Sequence, residues 1–126
     1  MAHRFIRNTP HLPVRDLKAT LSYYSDRLGF TDPWSFGEKD GGIRRGDLRM
    51  LFGESESFTD DMNNDSHRLS LMWFVENIDE VYAEFKSRNL EIADELRAHS
   101  YGLMEFAFRD INGYYIRIAE PIPGSQ

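Results

Sequence analysis

The chain has 126 residues, no cysteine, 15 basic against 21 acidic side chains for a net charge of −6, and 13% aromatics. That length suits one domain. The lack of cysteine excludes a disulfide framework, a thiolate metal site and a thiol nucleophile, and the acidic balance argues against a nucleic-acid surface. No apolar run approaches the ~20 residues of a membrane span, and the segment Met1–Asn8 offers no apolar stretch for a signal, so a cytoplasmic protein is expected.

In chain order, Thr9–Val14 is a short extended segment. Pro10 and Pro13 in it cannot donate to a ladder, which predicts an edge or irregular strand. Asp16 predicts a helix N-cap. Leu17, Leu21, Tyr24 and Leu28 then fall on one helical face, and Gly29 stops the helix. Phe30–Glu38, Ile43–Arg45 and Leu48–Phe52 follow as strands, with turns at Asp40-Gly41-Gly42 and Gly46-Asp47. Glu54–Ser66 is rich in Ser, Asp, Asn and Glu and predicts a linker or mobile loop.

The pattern then restarts. Leu69–Val75 predicts a strand, Asn77 a cap, and Ile78, Val81, Tyr82 and Phe85 a helical stripe. Val14-Arg15-Asp16-Leu17 and Val75-Glu76-Asn77-Ile78 match at an offset of 61 residues. Strands over Glu91–Glu95, Leu103–Phe108 and Tyr114–Ile118 complete the second unit, the last two joined by Asp110-Ile111-Asn112-Gly113, whose Asn-Gly is a strong hairpin signal. The expected fold is α+β: two βαβββ repeats forming a curved, half-open mixed sheet, with the helices on its convex side. Repeat one spans about 8–53 and repeat two about 67–121 of a single domain. The concave side is the natural place for a ligand.

Thr9 to Leu17, with Tyr23-Tyr24 and Leu28-Gly29-Phe30, resembles the opening of the glyoxalase / bleomycin resistance / extradiol dioxygenase superfamily, also called vicinal oxygen chelate proteins. Phe108 to Ile118 resembles that family's Phe-x-Asp-Pro-Asp-Gly-Asn strand turn, with Ile111 in place of the proline and Asn112 in place of the second aspartate. The resemblance covers about Thr9 to Pro121 and is specific for fold rather than function.

Many members of that family hold a divalent metal with His or Glu on the first and last strand of each repeat. The resemblance puts Thr9, Met50 (or Leu51 after a one-residue slip), Ser70 and Arg117 at those positions. Such a set makes a poor metal cage, because a metal needs about three strong donors converging on one point. An unorthodox alternative is His11, Glu105 and His67.

The resemblance sets Ser70 inward, and because side chains alternate along strands, Met72 and Phe74 should line the concave face with it while Leu71, Trp73 and Val75 pack under the helices. Thr9 and His11 on the first strand and Tyr115 and Arg117 on the last should point inward, with Trp34, Phe36 and Glu105 as further candidates. The aromatics suit a planar ring, Met50 and Met72 adapt to irregular shapes, and Arg117 either holds a ligand carboxylate or pairs with Glu105. Such a cleft resembles the metal-free bleomycin resistance proteins, which are typically dimers with exchanged first strands. The expectation is therefore a metal-free, cofactor-free binding protein, a homodimer with exchanged strands, that sequesters an aromatic or cationic antibiotic. The alternatives are a divalent-metal-dependent lyase, isomerase or dioxygenase of the same fold, and a sensor for an unrelated metabolite.

Overall fold

The structure is a computed structural model that describes residues 3–64, 66 and 69–124. Repeat one contains β1 (His11–Val14), α1 (Leu17–Asp26), β2 (Thr31–Phe36), β3 (Asp40–Arg45) and β4 (Leu48–Glu54). A short helix, α2 (Glu56–Met62), follows. Repeat two contains β5 (Ser70–Phe74), α3 (Ile78–Ser87), β6 (Glu91–Ala98), β7 (Leu103–Arg109) and β8 (Tyr115–Pro121).

The strands form two four-stranded mixed sheets of the same topology, β1-β4-β3-β2 and β5-β8-β7-β6. In each, the first strand pairs in parallel with the last and the other pairings are antiparallel. The registers make the repeats superimposable residue by residue. His11 opposite Leu51 corresponds to Met72 opposite Arg117, and Asp40 opposite Gly53 corresponds to Glu105 opposite Ala119.

Period-2 alternation gives each sheet one helix-covered face and one open face. On the covered faces Val14, Met50, Phe52, Phe106, Phe108, Ile116 and Ile118 are at most 1% exposed. Trp73 lies against Phe30, Phe108 and Tyr24 of α1, so one aromatic cluster ties both repeats into a single core. Each such side chain contributes roughly 1.5–3 kcal/mol by leaving water.

Polar contacts across the repeats follow the duplication. Arg27 donates to the Asn89 carbonyl and the equivalent Arg88 donates to the Asp26 carbonyl, both at 3.3 Å. Arg45 of β3 forks onto both oxygens of Glu84 in α3, at 2.9 and 3.0 Å, and caps the Leu28 carbonyl at 2.7 Å. These bonds use carbonyls at or just past the C-terminal ends of α1 and α3, where the helix leaves its acceptors without partners.

Asp16 caps α1 as expected, accepting from the Ala19 amide at 2.9 Å. Asn77 sits at the matching position of α3, but its backbone is left-handed (φ 59) and its side chain makes no cap bond. Glu120 of β8 reaches up instead and accepts from the Asn77 and Ile78 amides, both at 3.0 Å. Glu54 of β4 does the same for Leu17 at 2.9 Å.

Two segments differ from the sequence reading. In the Glu54–Ser66 segment, the described residues do not form an open linker: Ser55 caps α2, Thr59 is fully buried, and Asn63 donates to the Asn112 carbonyl at 2.9 Å. Its polar composition reflects caps and anchors rather than mobility. Asp40-Gly41-Gly42 is also not a turn but the start of β3, the turn falling at Gly37–Lys39. The glycines serve close approach on both faces of the sheet. A Cβ on Gly41 would meet Leu17 of α1 at 3.3 Å, and one on Gly42 would meet the Trp34 indole at 2.8 Å.

Candidate functional site

The open face of the first sheet is built from alternate residues of four strands. Gly42 is central. Because it has no side chain, the Trp34 ring lies down across its backbone, and Trp34 remains 50% exposed. Two residues along, Phe36 is 77% exposed. Ordinary burial would hide both rings, so together they form an exposed aromatic patch on one sheet face. His11, Asp40 and Leu51 complete the walls of a shallow apolar cavity of about 370 Å³. Gly53, between His11 and Asp40, leaves room for both: His11 Nε2 and Asp40 Oδ1 each lie 3.4 Å from where its Cβ would stand.

The open face of the second sheet carries Ser70, Met72 and Phe74 from β5, Tyr115 and Arg117 from β8, and Glu105 from β7, by the register of the ladders. Phe74 is 56% exposed, whereas Glu105 is only 4% exposed. The Arg117 guanidinium forks onto Glu105, with Nε–Oε2 at 2.6 Å and a second bond at 3.0 Å. Tyr101, from the β6–β7 turn, donates its hydroxyl to Glu105 at 2.7 Å and lies 3.0 Å from His99 Nδ1. Burial works to raise the Glu105 carboxyl, but the bonds from Arg117 and Tyr101 outweigh it and hold it below the usual carboxylate range. The Tyr101 hydroxyl is raised, chiefly because its proton is held by Glu105. Tyr115 is stacked by the Arg109 guanidinium at 5.6 Å.

The nominated residues therefore divide between two surfaces. His11, Trp34 and Phe36 share the first; Ser70, Met72, Phe74, Glu105, Tyr115 and Arg117 share the second. Thr9 precedes β1 and is half-buried. Met50 needs correction. It is 1% exposed on the helix-covered face, and its neighbour Leu51 takes the open-face position matching Arg117. The sequence left those two open because a one-residue slip exchanges the faces of a strand. His67 lies outside the described residues. Tyr101, Asp40 and Arg49 were not nominated. Asp40 was hidden by its assignment to a turn, and Tyr101 carries no periodic signal because it sits in one.

The family's metal positions thus hold two hydroxyls (Thr9 and Ser70), an alkyl group (Leu51) and a guanidinium already paired with a carboxylate. Such a donor set does not fit a divalent cation, because the Arg117 cation takes the acid a metal would need. Among the described residues no group of three or more His, Cys, Asp or Glu side chains is placed to hold a metal ion. No helix among them is long and apolar enough to cross a membrane.

Two further cavities lie where the repeats meet. A crevice of about 660 Å³ runs between the β3–β4 turn, β5 and α3, floored by Phe30, Trp73, Phe85 and Ile118. A smaller one of about 290 Å³ opens beside β5, lined by Asn8, Pro10, Arg49, Leu71 and Met72 among others. Neither brings Trp34 and Phe36 into contact with Arg117.

Comparison with known proteins agrees with this architecture. The family model described as Glyoxalase/Bleomycin resistance protein/Dioxygenase superfamily matches residues 6–118. A bleomycin resistance determinant encoded on the transposon Tn5 superimposes with a TM-score of 0.77 at 23% identity, covering 93% of this chain and 98% of that one. A bleomycin-binding protein from bleomycin-producing Streptomyces verticillus, complexed with copper(II)-bleomycin, gives 0.73 at 25% identity, covering 93% and 97%. A glyoxalase/bleomycin resistance protein/dioxygenase from Nocardioides gives 0.72 at 15% identity, covering 100% and 89%. No curated protein matches the sequence significantly.

Proposed function

The chain belongs to the Glyoxalase/Bleomycin resistance protein/Dioxygenase superfamily, and within it we propose a metal-free binding protein that sequesters a small aromatic, cationic molecule of the bleomycin type. The carrying observation is the exposed Trp34–Phe36 platform laid over Gly42. Offset stacking of a planar ring on such a platform is worth about 0.5–1.5 kcal/mol per ring pair beyond area burial. Asp40 stands at the platform's end, and the net charge of −6 attracts a cation to it. The bleomycin-binding neighbours support the ligand class.

A homodimer with exchanged first strands is part of the same reading. Each chain has two open faces bearing different groups, and among the described residues neither is closed over. Seating the first-sheet face of one copy against the second-sheet face of another would bring Trp34 and Phe36 opposite Phe74 and Met72 in one cleft. Such a protein would act in the cytoplasm by holding the drug rather than altering it.

Titrating the purified protein with bleomycin while following tryptophan emission tests this. A saturable change at micromolar drug is expected, with sedimentation reporting a dimer. No response to bleomycin or to other cationic aromatics would overturn it. Stoichiometric Ni, Zn, Mn or Fe in the purified protein would replace it with a metal-dependent lyase, isomerase or dioxygenase.

A further inference from the structure

We propose that Arg49 forms an oxyanion-binding subsite in the small cavity where the two repeats meet, taking the carboxylate or phosphate group of an aromatic ligand. Arg49 lies on β4, opposite Arg44 of β3. The two arginines have different surroundings. Arg44 is committed, its Nε held by Asp32 Oδ2 at 2.7 Å. The Nε of Arg49 is buried, and among the described residues it finds no hydrogen-bond acceptor.

A buried N–H without an acceptor loses its water and gains nothing in return, which makes such a group rare in a settled fold. Arg49 also lines a cavity of about 290 Å³, together with Asn8, Pro10, Leu71, Met72 and Trp73. Its surroundings therefore combine a planar cationic fork, a neighbouring amide and an apolar wall. An oxyanion attached to a flat apolar body satisfies all three: the fork takes two oxygens at once, and the body covers the apolar wall of Leu71 and Met72. Asp47 also lines this cavity, and it is exposed, so solvent screens its charge.

The subsite stands on different observations from the proposed drug reading, although Met72 borders both. It lies beside β5 rather than on the Trp34 platform, and it calls for the opposite charge. A ligand bearing both a cationic aromatic part and an anionic group could span the two.

The test uses the full-length protein and three probes with one ring system: 2-naphthoate, 2-naphthyl phosphate and neutral 2-naphthylmethanol. Calorimetry should show both anions binding at least 10-fold more tightly than the alcohol, their ratio telling whether carboxylate or phosphate is preferred. Arg49→Met keeps the side chain's length without its charge and should erase that 10-fold advantage for both anions, leaving the alcohol unchanged. Arg44→Gln on the same face should leave all three alone. The Nε–H resonance of Arg49 should shift on titration with the anions, a readout that needs no variant. Equal binding of alcohol and anions, unaltered anion binding by Arg49→Met, or a silent Arg49 resonance would overturn the proposal. None of these outcomes touches bleomycin binding, so failure here leaves the drug reading standing.

Discussion

On the first sheet the open face is aromatic and bare: Trp34 and Phe36 stand exposed over the glycine backbone of β3. On the second, the equivalent strands carry a closed polar network in which Arg117, Tyr101 and Glu105 satisfy one another. The topology is the same, so the difference lies in a few side chains at matched positions. Leu51 stands where the second repeat has Arg117, and Gly42 where it has Ala107. The two scaffolds are equal in topology, and one leaves an aromatic surface exposed while the other turns its polar groups on one another.

The sharpest way to break this contrast is to open the polar network. Glu105→Leu leaves the Arg117 guanidinium without its acceptor and should cost about 3 kcal/mol in urea unfolding. Adding Arg117→Leu should recover most of that loss, because a well-packed apolar pair can replace a buried ion pair. If the single and double variants are equally unstable, the network is not the self-satisfied unit described here.

The second repeat should also carry a pH signature of two opposite signs. Asp110, in the β7–β8 turn, is buried and pushed up to about 6, despite bonds from Tyr24 and the Asn112, Gly113 and Tyr114 amides. Its native carboxyl holds a proton more tightly than the unfolded one. The stability it adds is therefore complete below the unfolded value of 3.8 and is lost as pH rises through about 6. Glu105 runs the other way, its contribution present above the model-peptide value of 4.5 and lost as pH falls through its lowered value. Asp110→Asn should remove a fall in stability of roughly 2 kcal/mol between pH 4 and pH 7, measured against the wild type by urea unfolding. An unchanged pH slope would contradict the assignment.

On the first sheet, Gly42→Ala should displace the Trp34 ring, because a Cβ there would stand 2.7 Å from the Met50 carbonyl and 2.8 Å from the indole nitrogen. A cost of about 1–3 kcal/mol is expected, with a shift in tryptophan emission. The corresponding Ala107 already carries a Cβ, and its substitution by Gly should leave the emission alone. The smallest stability effect belongs to Trp34→Ala itself, within about 0.5 kcal/mol, because the ring is half in water.

The fold was legible from the repeated Val-x-Asp/Asn-hydrophobic pattern, the helical stripes and the Asn112-Gly113 turn, since these are local signals of period and turn chemistry. Facing on β5 followed from the family resemblance, which set Ser70 inward, extended by alternation: Trp73 went under the helices and Phe74 outward. Met50 was misplaced because both it and Leu51 are apolar, so composition could not say which one faced the helices. Gly41 and Gly42 looked like a turn because a glycine pair signals a turn and a close backbone approach equally well, and only the ring of Trp34 decides between them. The short helix α2 was invisible because its stability comes from Ser55, Thr59 and Asn63 bonding to the backbone around them, not from an apolar stripe. The Tyr101–Glu105 bond spans a turn, and the missing acceptor at Arg49 Nε is a feature that no linear pattern encodes.

The account rests on the Trp34 platform as the place where an aromatic ligand stacks. Calorimetric titration of bleomycin into the wild type and into Trp34→Ala tests that most directly. The account predicts saturable binding to the wild type and at least about 10-fold weaker binding to the variant, the loss of one stacking partner. Equal affinity in the two proteins would contradict it.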